Sequence, residues 1–203
     1  MYNQVLLSGK LGDGCIVRRS ETSNATISFN AKHINYLLFK KKELDKIGID
    51  TGGITYGRSG YKKTSIIPKF MTKIDTRITK VSHLSKIECI QNLNKVGLIM
   101  LYLDDGAYHK SHNTGHLYVN TFNEEELQAL ITKIYELYPI KKCTIQHDNK
   151  KDGRSYPYLY IPVNTMKSFK EDVKKFLEDN NIDEMLYKVG LPSTTISNES
   201  TLK

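Results

Sequence analysis

An α+β protein built from two pseudo-symmetric halves is the fold class this sequence predicts, and three observations point to it. Two short apolar stretches, Val5 to Gly14 and Val96 to Gly106, both end in acid-glycine. Each is followed by the same run of elements: hairpin, helix, hairpin, helix. Equivalent landmarks also recur at one spacing. Asp13 and Asp105 lie 92 residues apart, the amphipathic helices after them begin 92 apart, and the strands before those helices lie 91 apart. A unit of about 90 residues is too long for a solenoid repeat. It describes the duplication of a whole α+β unit, with an N-terminal half over 1–94 and a C-terminal half over 95–203 that ends in a short frayed tail.

The elements follow in order. Val5 to Leu11 is of helix length and ends at Asp13-Gly14. Ile16 to Arg19 and Ala25 to Asn30 read as strands, because Ala25, Ile27 and Phe29 alternate with Thr26, Ser28 and Asn30 at the period of a half-buried sheet. Ser20 to Asn24 joins them as a hairpin. Ile34, Leu37, Leu38, Leu44 and Ile47 fall on one helical face, with Lys40 to Lys42 opposite and Gly48 as the stop. From Gly52 to Lys80 the reading is β-like: Ile54 to Tyr56, Thr64 to Ile67, and a further run from Phe70 to Val81. A short helix near Lys86 to Asn92 leads into the second apolar stretch. In the second half His116 to Phe122 is a strand by alternation. Asn123 and Glu126 form a capping box, and Leu127, Leu130, Ile131, Ile134 and Leu137 make the apolar face behind it. Cys143 to Gln146 and Tyr158 to Ile161 are strands, and Met166, Phe169, Val173, Phe176 and Leu177 mark a last amphipathic helix.

The second stretch, Val96-Gly97-Leu98-Ile99-Met100-Leu101-Tyr102-Leu103-Asp104-Asp105-Gly106, carries the chemical argument. As a helix it is apolar nearly all round, which demands burial. Its acids stand at the negative end of the helix dipole, where cations are favoured, so they call for a positive charge. A bound divalent metal is one answer, since hard cations take carboxylate and carbonyl oxygens. An ordinary core helix with a glycine cap and solvated acids is the other. The repeat favours the metal. Two such helices at equivalent positions would meet on the pseudo-twofold axis, where Ser8, Gly9 and Gly12 let the backbones approach. Asp13 and Asp105 would then repel unless a cation such as Mg²⁺ lay between them.

Composition sets the surroundings. With 39% apolar and 26% charged residues among 203, the chain folds rather than staying disordered. A formal charge of +8 favours a polyanionic partner, nucleic acid ahead of membrane. The three cysteines (Cys15, Cys89, Cys143) form no CxxC pair, which argues against a disulfide framework or a cysteine zinc site and fits a reducing compartment. No stretch is long and apolar enough to span a bilayer, and the N-terminus lacks the pattern of a secretory signal. A soluble protein of the cytoplasm or an organellar matrix is expected.

The paired stretches Leu6-Leu7-Ser8-Gly9-Lys10-Leu11-Gly12-Asp13-Gly14 and Leu98-Ile99-Met100-Leu101-Tyr102-Leu103-Asp104-Asp105-Gly106 resemble the two motifs of the LAGLIDADG homing endonuclease family. Met185 to Pro192 resembles the closing segment of its monomeric, two-motif members. That resemblance implies two αββαββα halves whose four-stranded antiparallel sheets form a DNA-binding saddle. It also implies Mg²⁺-dependent (or Mn²⁺-dependent) staggered cleavage of a long asymmetric duplex. It maps metal ligation onto Asp13 and Asp105, with the carbonyls of Gly12 and Asp104 as helpers, and a lysine near each scissile phosphate onto Lys188 and Lys80. The sequence departs from the family pattern in three ways. Leu11 and Leu103 replace an earlier acid. Met100 and Asp104 stand where small residues usually pack. Asp104 also leaves two acids competing for the metal, of which Asp105 is preferred here.

DNA contact is expected from basic loops, at Arg18, Arg19, Arg58, Lys62, Lys63, Lys110, Lys150, Lys151 and Arg154. Polar strand faces would add Thr26, Ser28, Asn30, Tyr118, Asn120, Thr144 and Gln146. The tract His109 to His116 is read as a hairpin loop contacting phosphate, base or solvent rather than as a zinc site. Two other readings stand beside the endonuclease: a group I intron RNA maturase on the same fold, and a catalytically silent DNA-binding regulator.

Overall fold

The computed structural model describes residues 2–59, 65–149 and 153–193. The first half runs α1 (Gln4–Leu11), β1 (Cys15–Val17), β2 (Thr26–Asn30), α2 (Ile34–Lys46), β3 (Thr55–Ser59), β4 (Ser65–Met71) and α3 (Thr76–His83). A short α4 (Lys86–Gln91) leads to α5 (Lys95–Asp105), β5 (Gly106–His109), β6 (Thr114–Leu117), α6 (Glu124–Leu137), β7 (Thr144–Asn149), β8 (Ser155–Ile161) and α7 (Val163–Asp179). A 3₁₀ helix, Asp183–Val189, closes the second half. The two sheets are antiparallel and share one topology, β1-β2-β4-β3 and β5-β6-β8-β7. No described helix is long and apolar enough to cross a membrane.

Local chemistry explains most boundaries. The Asn3 side chain accepts from the amides of Val5 and Leu6 at the start of α1, and Asn94 does the same for Gly97 in α5. The Asn123–Glu126 capping box opens α6. Inward residues of each sheet, Ile27, Phe29 and Phe70 in one and Leu117, Leu159 and Ile161 in the other, join the helices in a single buried core. Two contacts cross between halves symmetrically. Lys86 of α4 pairs with Glu126 of α6 at 3.1 Å, and Glu184 of the 3₁₀ helix accepts from the Asn35 amide of α2 at 3.0 Å.

Three sequence expectations need correction. Phe70 to Val81 is not one β-like run: β4 ends at Met71, and Asp75 caps α3 by accepting from the Arg77 amide at 2.7 Å. The cap and the burial of Ile78 and Val81 at helical spacing override the β preference of Thr, Ile and Val. The strand expected over His116 to Phe122 stops at Leu117. Beyond it the Phe122 amide turns back to the Val119 carbonyl, and beside β8 the strand pairs with the unforeseen strand Gly106–His109. In α2 the buried face is Tyr36, Leu37, Phe39, Lys40 and Leu44, whereas Leu38 and Ile47 are exposed.

Candidate active site

Both apolar stretches form helices that are buried along nearly their whole length. They touch through equivalent residues, as helices on a twofold axis must. The Ser8 hydroxyl meets the Met100 sulfur at 3.9 Å, and Gly12 faces Asp104. Small residues of α1 therefore stand opposite the two large departures of α5, and the contact stays close. A Cβ on Gly12 would lie 3.0 Å from Asp105 Oδ2 and 3.3 Å from Asp104 Oδ2. Gly9 has another task than the one expected of it. A Cβ there would strike the Phe29 ring at 2.5 Å, so it seats α1 on its own sheet, not on the partner helix.

This crossing brings Asp13, Asp104 and Asp105 within range of one another's charges at the C-terminal ends of α1 and α5. Their roles differ. Asp104 is buried and bonded through both carboxylate oxygens to Lys40 Nζ, at 2.8 and 2.9 Å. Asp105 has no such partner among the described residues. Burial first, then the charges of Asp13 and Asp104, push its pKa up to about 7. Asp13 is more open to solvent, yet desolvation of its carboxyl and the charge of Asp104 also raise its pKa. Among the described residues, Asp13 and Asp105 are thus the acids of this trio without a direct ion-pair partner, though Lys40 and Lys188 act on both through space.

Lysines supply part of the positive charge the helix ends demand. Lys188 Nζ donates to the Gly106 carbonyl at 2.8 Å and reaches the Asp104 carbonyl at 3.5 Å, capping the negative end of α5. Burial lowers its pKa while Asp104, Asp105 and Asp13 oppose that shift. Lys80 is not at the site. It is exposed on α3 and lines a cavity of about 540 Å³ with Tyr2, Asn3 and Leu6, at the opposite end of α1 from Asp13. The sequence pattern sets Lys40 opposite the apolar face of α2, and the structure corrects this. It lies 1% exposed, with its Nζ 4.3 Å from the Tyr36 ring centroid and 5.2 Å from that of Phe29. The available signal was its spacing from Tyr36 and Leu44, four residues either way.

Each sheet turns one face to the helices and the other to solvent. Thr26, Ser28 and Asn30 lie on the outer face of the first sheet, next to Lys69 and Met71. Thr144 and Gln146 lie on the outer face of the second, opposite Tyr160 and Tyr158. Tyr118 packs there against Tyr158 and His116, while Asn120 is exposed in the turn beyond β6. Arg18 braces the Ser20 to Asn24 turn through the Ser23 and Glu21 carbonyls. Arg19 and Lys110 are exposed, and Arg154 lies over the Tyr156 ring. Arg58 belongs to β3; Lys62, Lys63, Lys150 and Lys151 lie outside the described residues. In the histidine tract, His109 and His116 sit on paired strands, not in a loop, with ring centroids 3.8 Å apart. Burial, then His109, lowers the His116 pKa to about 4. Among the described residues no three His, Cys, Asp or Glu side chains gather as a metal cluster.

Comparison with known proteins adds to this geometry. The model of the LAGLIDADG DNA endonuclease family matches residues 4–169. The structure is similar to the homing endonuclease I-WcaI bound to its DNA recognition sequence, with a TM-score of 0.73 and 19% identity over 94% of this chain and 86% of that one. It is similar to mesophilic variants of the homing endonuclease I-DmoI, with a TM-score of 0.57 and 15% identity over 85% and 94%. Full-length DUF199/WhiA from Thermatoga maritima gives 0.53 and 11% over 95% and 63%. At these identities the structural likeness is one of fold. No curated protein matched the chain.

Proposed function

Because the chain belongs to the LAGLIDADG DNA endonuclease family, we propose that it is a site-specific homing endonuclease making a Mg²⁺-dependent staggered cut in a long asymmetric DNA target. The observation that carries this reading is the convergence of Asp13 and Asp105 from two twofold-related helix ends, with Asp104 neutralised by Lys40. The donor set fits a hard divalent cation. It offers two carboxylates without a direct ion-pair partner among the described residues and the carbonyls of Gly12 and Asp104, with substrate phosphate and water completing the sphere. When bound, such an ion supplies a nucleophilic water at neutral pH and stabilises charge on the phosphodiester oxygens. The chain's own residues prepare for it. Asp13 and Asp105 stay charged once a cation offsets their repulsion. Lys188 puts a cation beside them and would be the lysine that meets a scissile phosphate. The outer faces of the two sheets, one from 1–94 and one from 95–203, would lie along successive stretches of duplex. Since one chain holds both halves, it would act as a monomer.

Asp13→Asn and Asp105→Asn should each abolish cleavage of a duplex selected from a randomised library, while binding in Ca²⁺ persists. Full-rate cleavage of both strands by either variant would overturn the ligand assignment. Binding should also weaken steeply with salt as phosphate contacts release counterions. Preference for structured intron RNA over every duplex would favour the maturase reading instead.

A further inference from the structure

The two outer sheet faces are chemically unlike. On the first, Ser28 pairs with Met71 and Asn30 with Lys69. On the second, rings dominate. Tyr158 of β8 lies between His116, 4.7 Å away by ring centroid, and Tyr118, 5.5 Å away. Its cross-strand partner is Gln146 of β7, whose side chain is exposed. The Tyr158 hydroxyl donates to Gln146 Oε1 at 2.7 Å, a length typical of O–H···O and short for N–H···O. The tyrosine is held by its ring neighbours, so it sets the amide plane and not the reverse. With Oε1 drawn toward β8, Nε2 is turned the other way with two hydrogens to donate.

We propose that Tyr158 is a positioning residue for base readout: it presents Gln146 as a donor, so that this position of the target is read by an acceptor edge. A freely turning glutamine pairs with adenine, using its oxygen and nitrogen together on N6 and N7. Held by Tyr158, Gln146 instead suits guanine O6/N7 or thymine O4. This inference rests on the endonuclease reading, which puts the outer face of the second sheet in the major groove.

The test compares the wild-type protein, Tyr158→Phe and Gln146→Ala on one randomised duplex library, by sequencing cut ends in Mg²⁺ and bound duplexes in Ca²⁺. Tyr158→Phe removes one oxygen from a half-buried ring and leaves the strand pairing and ring contacts in place. The wild-type protein should prefer guanine or thymine at one position of one half-site. Gln146→Ala should flatten that position alone, and Tyr158→Phe should shift it toward adenine by roughly fivefold or more, the scale of one good base contact. Identical profiles for the wild-type protein and Tyr158→Phe overturn the inference and leave the nuclease intact, as does a wild-type preference for adenine at the position Gln146→Ala flattens. A wild-type protein that neither cuts nor binds any duplex overturns the endonuclease reading, and this inference with it.

Discussion

Replacing Lys40 by methionine tests whether the extra acid of α5 is tolerated only because a buried cation meets it. Lys40 and Asp104 have side chains 1% and 2% exposed, and two charge-assisted bonds of 2.8 and 2.9 Å join them across the two halves. Lys40→Met leaves Asp104 as a desolvated, unpaired carboxylate beside Asp13 and Asp105. Breaking a buried pair from one side costs about 3–5 kcal/mol, because the remaining charge keeps its desolvation penalty without its partner. For a chain of this size that lowers Tm by roughly 6–20 °C. Asp104→Asn strands Lys40 in the same way. The double variant strands neither charge, so its loss should fall well short of the sum of the singles, with a coupling of about 1–3 kcal/mol. Urea unfolding of all four proteins at pH 7 in chelator measures this directly. Losses that add to within about 0.5 kcal/mol would show that the two side chains do not act as a unit, and would refute the reasoning.

Three further outcomes are expected. Because the pKa of Asp105 is raised from 3.8 to about 7 in the folded metal-free protein, the folded state holds the extra proton between those values. Its contribution to stability is therefore greatest at the acid end and declines as pH rises toward 7. Asp105→Asn should stabilise the metal-free protein by about 1–3 kcal/mol at pH 8, after allowance for solvent screening, and hardly at all at pH 4; an equal effect at both would contradict the assignment. Gly12→Ala places a methyl 3.0 Å from Asp105 Oδ2 and 3.3 Å from Asp104 Oδ2, so these carboxylates must shift by a few tenths of an ångström; the disturbed acid geometry should be seen as slower cleavage with a loss of stability of about 1 kcal/mol. Lys188→Ala should slow single-turnover cleavage on the order of 10²-fold, while Lys80→Ala, at the far end of α1, should leave the rate unchanged.

Much of this protein is written in local pattern. Acid-glycine endings 92 residues apart, alternation in β2 and the Asn123–Glu126 box depend only on neighbours along the chain, so the duplication and the convergence of Asp13 with Asp105 were legible in sequence, whereas α3 and the strand Gly106–His109 were not. Membership of an endonuclease family followed from the paired motifs. What remained hidden depends on what stands across an interface. Met100 and Asp104 look too large for a close helix contact until Ser8 and Gly12 are seen opposite them. Lys40 reads as one of three solvated lysines. Only the approach of α2 to α5 decides that its charge is buried against Asp104, and so that Asp105, not Asp104, is the acid of α5 without a direct ion pair among the described residues. Periodicity along a chain records which face is covered; it holds no record of which charge covers it, because that pairing joins residues 64 apart through space.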